Sequence, residues 1–128
     1  SCTSTGLVLL GETSILGTPG SWAGSGNTIS RVFDNDINTF FDAPTGNGDE
    51  WVGADLGSIR DIKVIRYYPR QDFTYRMTGG VFQGSQTPDF LTGVQNLHTI
   101  ASDPPLSWNS ITLVGMHMYR YIRYLAPN

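Results

Sequence analysis

The chain is poor in charge and has almost no lysine. Its 128 residues carry eight Lys and Arg against eleven Asp and Glu, and Lys63 is the single lysine. Charged residues make up 15% of the chain, whereas about a quarter is usual for a globular domain. Nucleic-acid-binding proteins neutralise phosphates with clustered Lys and Arg. The composition therefore argues against a nucleic-acid partner.

Cysteine and long apolar runs are also scarce. Cys2 is the one cysteine, so it is either a free thiol near a terminus or the partner of a segment outside this sequence. The longest strongly apolar run, Leu7 to Leu10, is far shorter than the roughly 18 residues of a membrane span. No signal peptide is visible, which fits a mature or a cytosolic chain. The length fits one domain, and we predict a single module over residues 1–128.

Helical periodicity is missing as well, while turn-forming residues are abundant. Fifteen Gly and seven Pro are spread along the chain, and short runs rich in Val, Ile, Tyr, Phe and Thr lie between them. This spacing predicts an all-β sandwich or barrel. The predicted strands cover residues 7–10, 51–56, 62–68, 80–84, 110–114 and 119–125. In the strand 51–56, alternation places Trp51, Gly53 and Asp55 on one face and the more apolar residues on the other.

Four short segments occur in order along the sequence. They read VFDNDINTFFD from Val32, WVGADLG from Trp51, IRYYPRQD from Ile65 and YRYIRY from Tyr119. Together they resemble the discoidin-like, coagulation factor C-type family of galactose-binding-like domains, and most of all carbohydrate-binding module family 32. The resemblance covers roughly residues 17 to 127. It implies an all-β fold, a jelly-roll β-sandwich.

The sequence departs from the family pattern at two places. Asn35 stands where the family usually has Gly, and the acidic final strand of the family has no counterpart after Leu125. We hypothesise that Leu7 to Leu10 takes the place of that strand beside residues 119–125.

The resemblance implies a structural Ca²⁺ in the turn that contains Asp34, Asp36 and Thr39. Oxygen ligands in a tight turn suit this ion, which takes six to eight oxygens. The alternative is an Asx turn, in which the carboxylates accept backbone N–H groups and no metal is bound.

The resemblance also implies a sugar site on loops at one end of the sandwich, with Arg70 reaching sugar hydroxyls and Asp42 close by. A guanidinium presents a rigid fork of donors and a carboxylate accepts two hydrogen bonds, so the pair can recognise a diol. The alternatives are a surface salt bridge for Arg70 and a turn cap for Asp42.

A sugar site also needs an aromatic platform, because one face of a pyranose consists of C–H groups. Four aromatic residues lie in predicted loops: Trp22, Phe73, Tyr75 and Trp108. Phe73 and Tyr75 are the best candidates, because they follow Arg70 in a polar loop that ends at Arg76. The predicted ligand-binding residues are therefore Asp42, Arg70, Phe73, Tyr75, Arg76 and Trp22.

The residues just before the second segment, and its first residue Trp51, come next. Asn47, Asp49 and Glu50 can line the rim of the site, but solvated turn residues are the simpler interpretation. We expect Trp51 to be a core residue.

Arginines inside the predicted strands indicate structural roles. We expect Arg66, Arg120 and Arg123 to pair with Asp55 or Asp61, or to cover the sheet with their apolar stems.

Catalytic motifs are absent. Glycoside hydrolysis needs two opposed carboxylates, and the sequence has only two Glu, with most Asp in turn contexts. No nucleophile motif occurs, and His98 and His117 have no metal-ligand spacing to each other or to Cys2. We therefore predict a protein that is not an enzyme.

The leading functional hypothesis is a secreted, lectin-like accessory module. It would tether an attached enzyme or a surface to a glycan, as part of a larger multidomain protein. The alternatives are an adhesion module that binds protein or phospholipid, and a spacer without a ligand. The polar and acidic loop 44–50 counts against membrane insertion.

Overall fold

A computed structural model describes residues 2–5, 15–29, 38 and 50–127 of the chain. Within these residues the chain forms eight β-strands and two short 3₁₀ turns, at Trp22–Gly24 and Thr74–Met77. The strands are β1 (Cys2–Thr5), β2 (Ile15–Gly17), β3 (Trp51–Asp61), β4 (Val64–Tyr67), β5 (Val81–Ser85), β6 (Gln95–Thr99), β7 (Asn109–Thr112) and β8 (Met118–Leu125). The predicted all-β sandwich is confirmed.

The strands form two sheets. The small sheet has the order β1-β4-β7 and the large sheet has the order β2-β3-β8-β5-β6. Every pairing between described strands is antiparallel. Antiparallel sheets with one face on a core show alternating burial, and the alternation predicted for β3 is confirmed by buried Val52, Ala54 and Leu56.

The core lies between the two sheets. Its buried members come from both of them: Ala54, Leu56, Ile62, Ile65, Tyr67, Phe82, Ile100, Leu113 and Ile122. Tyr67 of the small sheet and Phe82 of the large sheet meet across it, with ring centroids 5.3 Å apart. This aromatic contact fixes the two sheets against each other close to the end of β4.

Five of the six predicted strands are present, shifted by a few residues at their ends. The sixth, Leu7 to Leu10, lies outside the described residues. Among the described strands, β8 already has a neighbour on each side, β3 and β5. Strand β6 was not predicted from the sequence, and neither were the short strands β1 and β2.

The two aspartates of β3 form ion pairs with different basic residues. Arg120 pairs with Asp55 as predicted, with Nε and Nη2 at 2.8 and 3.1 Å from the two carboxylate oxygens. This pair holds the pKa of Asp55 below its usual range. Asp61 pairs instead with Lys63, at 2.7 Å, because a turn between β3 and β4 places the two residues side by side.

The pairing registers decide which loops meet. Trp51 at the start of β3 lies opposite Leu125 at the end of β8, and Val81 at the start of β5 lies opposite the same residue. Strand β4 ends at Tyr67, opposite the start of β7. The segments 18–29, 68–80 and 100–108 therefore emerge at one end of the sandwich, which we call the loop end.

Among the described residues, no helix has the length and hydropathy needed to cross a membrane.

Candidate functional site

The segment 68–80 crosses the loop end from the small sheet to the large one. It is fixed at both sides: Pro69 is fully buried, and the Gly79 N–H donates to the Ile100 carbonyl oxygen at 2.7 Å. Asp72 adopts a left-handed conformation, with φ at 68°, which Asp tolerates better than most residues. The loop is therefore held as a defined structure over the apex.

Two consecutive turns bring three of the predicted residues together. The Phe73 N–H donates to the Arg70 carbonyl oxygen, and the Arg76 N–H donates to the Phe73 carbonyl oxygen, both at 3.1 Å. Each turn returns the chain towards the residue three positions earlier. Arg70 thus precedes Phe73 by one turn of the chain, and Arg76 follows Phe73 by one turn.

Both guanidinium groups lie over the Phe73 ring. The Cζ atoms of Arg70 and Arg76 are 4.4 and 4.0 Å from the ring centroid, well within the distance at which a cation is attracted to an aromatic face. The Phe73 ring therefore holds the two arginines. That it also offers a platform to a sugar stays a prediction.

Tyr75 is the aromatic residue that the loop exposes. Its side chain is 57% exposed, and its ring lies 6.3 Å from that of Phe73 at an angle of 48°. The structure therefore brings Arg70, Phe73, Tyr75 and Arg76 into one cluster, which we call the arginine–tyrosine cluster. It offers forked donors beside an exposed aromatic ring.

A second cluster lies next to the first, and of its members only Trp108 was a candidate from the sequence. The Tyr68 and Trp108 rings meet nearly edge to face, at 5.6 Å and 77°, and the Arg66 guanidinium lies 4.8 Å from the centre of the indole ring. All three side chains are partly buried. We call this the tryptophan cluster. Arg66 thus stacks on Trp108, and its expected ion pair with Asp55 or Asp61 is not formed.

Glu50 and Trp51 differ from their predicted roles. Glu50 is only 5% exposed, so the interpretation as a solvated turn residue is wrong, and its carbonyl oxygen accepts the Ala126 N–H at 3.0 Å. The residues before Glu50 are polar and rich in glycine, so the sequence predicted an exposed loop and not a buried side chain. Trp51 is partly buried on the face of β3 that points away from the core, and it packs on Phe90 at 5.3 Å.

Arg123 completes that outer packing. Its guanidinium lies 4.4 Å from the Phe90 ring centre and 5.3 Å from that of Trp51, and its Nε donates to Gln83 at 2.8 Å. Burial lowers the pKa of this guanidinium. Arg123 therefore covers the outer face of the large sheet instead of pairing with an aspartate.

The other predicted site residues lie partly or wholly outside the described residues. The backbone of Trp22 forms a 3₁₀ turn at the loop end. Asp42 and the three residues of the predicted calcium turn, Asp34, Asp36 and Thr39, fall outside the described part. Within the described part, no group of three or more His, Cys, Asp or Glu residues is placed to hold a metal ion.

Comparison with known proteins gives a consistent picture. The family model for the F5/8 type C domain matches residues 13–128. Comparison with curated proteins finds no match. Among solved structures, the chain is similar to CBM62 of Clostridium thermocellum Xyl5A, with 42% identity and a TM-score of 0.84 over 90% of this chain and 84% of the other.

Two more distant structures share the fold. The family 32 module of C. perfringens NanJ, solved with galactose, has 15% identity and a TM-score of 0.69, and the match covers 90% of this chain and 82% of that one. A chitosan-binding module from a chitosanase/glucanase of Paenibacillus sp. IK-5, solved with chitotriose, has 17% identity and a TM-score of 0.69, with 90% and 83% covered.

Proposed function

Because the chain belongs to the F5/8 type C domain family, we propose that it is a non-catalytic carbohydrate-binding module with its sugar site at the loop end. The chain is similar over most of its length to a module named as carbohydrate-binding. We also propose that residues 1–128 form one module and that the protein is located outside the cell. Attachment to an enzyme is part of the same proposal, and the chitosanase/glucanase origin of one similar module supports it.

The observation that carries the proposal is the arginine–tyrosine cluster. Arg70 and Arg76 are held over Phe73, and Tyr75 is exposed beside them. A pyranose has hydroxyl groups at its edge and C–H groups on its faces. The guanidiniums can donate to the hydroxyls while the Tyr75 ring covers an apolar face. Prior ordering of both arginines reduces the entropy lost on binding.

Within this proposal, the residues have distinct tasks. Arg70 and Arg76 donate hydrogen bonds, Tyr75 supplies the stacking surface, and Phe73 positions the arginines. Asp42 and Trp22 remain proposed ligand contacts from the neighbouring segments. Ca²⁺ held by Asp34, Asp36 and Thr39 remains a proposed structural ion.

Charge helps to rank the sugars. The guanidiniums of the cluster repel cationic groups, and chitotriose carries amines that are protonated in acidic solution. Galactose, the ligand seen in the C. perfringens module, is neutral. We therefore expect a neutral sugar such as galactose to bind more tightly than chitotriose below neutral pH.

A glycan array with matched variants tests the proposal. Wild type is compared with Arg70→Ala, with Tyr75→Ala and with Leu91→Ala, a control in the loop between β5 and β6 whose side chain is 81% exposed. We expect wild type and the control to bind a common set of glycans and both loop variants to lose them, with unchanged melting temperatures. A wild type that binds no glycan but binds protein or lipid vesicles contradicts the function. Equal binding by all four proteins places the site elsewhere.

A further inference from the structure

We infer that the glycan-binding surface continues from the arginine–tyrosine cluster onto the tryptophan cluster, so that the module binds a chain of at least two sugar units. This inference rests on the proposed function and adds a second subsite to it, formed by Tyr68, Trp108 and Arg66. The ligand is then an oligosaccharide or polysaccharide, and its terminal sugar unit makes only part of the contacts with the protein.

The alternation of β4 places the tryptophan cluster on the outside of the small sheet. Ile65 and Tyr67 are buried in the core, so Arg66 and Tyr68, at alternate positions, point to the opposite face. Trp108 comes directly before Asn109, which pairs with Tyr67. The indole is therefore beside Tyr68 at the edge of the loop end, and the core of the sandwich does not include it.

The two clusters are adjacent and rigidly connected. Only Pro69 separates Tyr68 from Arg70, and an extended chain advances at most about 3.6 Å per residue, so their Cα atoms are no more than about 7 Å apart. Pro69 is fully buried, and its ring fixes the backbone at this point. The second cluster thus keeps a constant position relative to the first, as two subsites for one chain require.

The chemistry of the second cluster repeats that of the first. Each combines aromatic rings with a guanidinium stacked on one of them, which gives apolar area and hydrogen-bond donors on one surface. Ser110, which pairs with Arg66 across the sheet, is exposed and adds a hydroxyl that can donate and accept. A second sugar unit would therefore meet the same kinds of group as the first.

Titration calorimetry with galactose and β-1,4-galactotriose tests the inference. In wild type we expect the trisaccharide to bind more tightly than the monosaccharide. Trp108→Ala should weaken trisaccharide binding about 2- to 12-fold, the effect of losing an aromatic contact of about 0.5–1.5 kcal/mol, and leave galactose binding unchanged. Leu106→Ala is the control, because Leu106 is an exposed residue of the same segment. Tyr75→Ala should weaken the binding of both sugars.

Nuclear magnetic resonance of the wild type gives a second measurement that does not depend on a variant folding. The chain has three tryptophans, hence three indole N–H signals, and the Trp108 signal is assigned with Trp108→Phe. Galactotriose should shift this signal and the amides of loop 68–80, whereas galactose should shift the loop amides alone. If galactotriose shifts only the loop signals, the second subsite is wrong and the proposed function stands. If neither sugar shifts any signal, the second subsite for a galactose chain is wrong, and the glycan array decides the proposed function separately.

Discussion

Replacement of Phe73 by Ala should weaken sugar binding because this ring holds two of the proposed sugar-binding arginines. The Phe73 ring lies under the guanidiniums of Arg70 and Arg76. Without it, both arginines lose this contact and gain rotamer freedom. Ordering a long side chain again on binding costs about 0.5–1.5 kcal/mol, so the two together cost about 1–3 kcal/mol. The dissociation constant should rise about 5- to 150-fold.

A double-mutant cycle separates this effect from simple loss of a contact. Calorimetry with galactose is done on wild type, Phe73→Ala, Arg70→Ala and the double variant. If Phe73 acts through Arg70, the effect of Arg70→Ala is smaller in the Phe73→Ala background than in wild type, and the two losses do not add. A melting curve for each variant confirms that the fold is retained.

Two results would refute this reasoning. Phe73→Ala with unchanged affinity would mean that the arginines need no support from the ring. Fully additive losses would mean that Phe73 contacts the sugar itself, as the sequence first indicated. Phe73→Leu provides a further check, because it keeps apolar volume but removes the aromatic face that attracts the cations.

Three other predictions concern the stability of the module. Gly53→Ala should destabilise the fold by about 1–3 kcal/mol and lower the melting temperature by several degrees, because a Cβ would clash with the Ile122 carbonyl oxygen of the neighbouring strand. Arg120 lowers the pKa of Asp55. The ion pair therefore stabilises the fold above the unfolded-state pKa of about 3.9, and this stabilisation is lost as the pH falls through the lower folded-state pKa. Asp55→Asn should melt at a lower temperature than wild type at neutral pH and at the same temperature at very low pH. If the turn 34–39 holds Ca²⁺, EDTA should lower the melting temperature and added Ca²⁺ should restore it; an unchanged temperature contradicts the ion.

The fold could be predicted largely because the chain alternates where a strand faces the core. In β3 the apolar residues of the alternating pattern are the buried residues, and the same is true of Ile122 at the centre of β8. Strand β6, Gln95–Thr99, was missed because only Leu97 of its five residues is apolar. Among the described strands it lies at the edge of its sheet, and its place is set by pairing with β5. Pairing of this kind leaves no signal in the local sequence.

Four of the predicted ligand-binding residues lie in one cluster in the structure, but the sequence did not predict how they are arranged. The Pro-Arg-Gln-Asp segment pointed to Arg70, and Phe73, Tyr75 and Arg76 followed from their position in the same loop. That Phe73 carries both guanidiniums depends on two successive turns. The only trace in the sequence is the equal spacing of the two arginines, three residues before and after the ring.

The two ends of the sandwich carry different kinds of exposed apolar side chain, and this difference supports the assignment of the loop end. Most of the large exposed apolar residues among those described lie at the opposite end: Ile59, Leu91, Val94, Val114, Met116 and Met118. All six are aliphatic or thioether side chains without a flat face. At the loop end the exposed apolar residues are Tyr75 and Leu106, and Tyr75 alone combines a planar ring with neighbouring guanidiniums. A pyranose needs a flat apolar surface and donors within reach of the same ring, and among the exposed large apolar side chains of the described residues Tyr75 is the aromatic one.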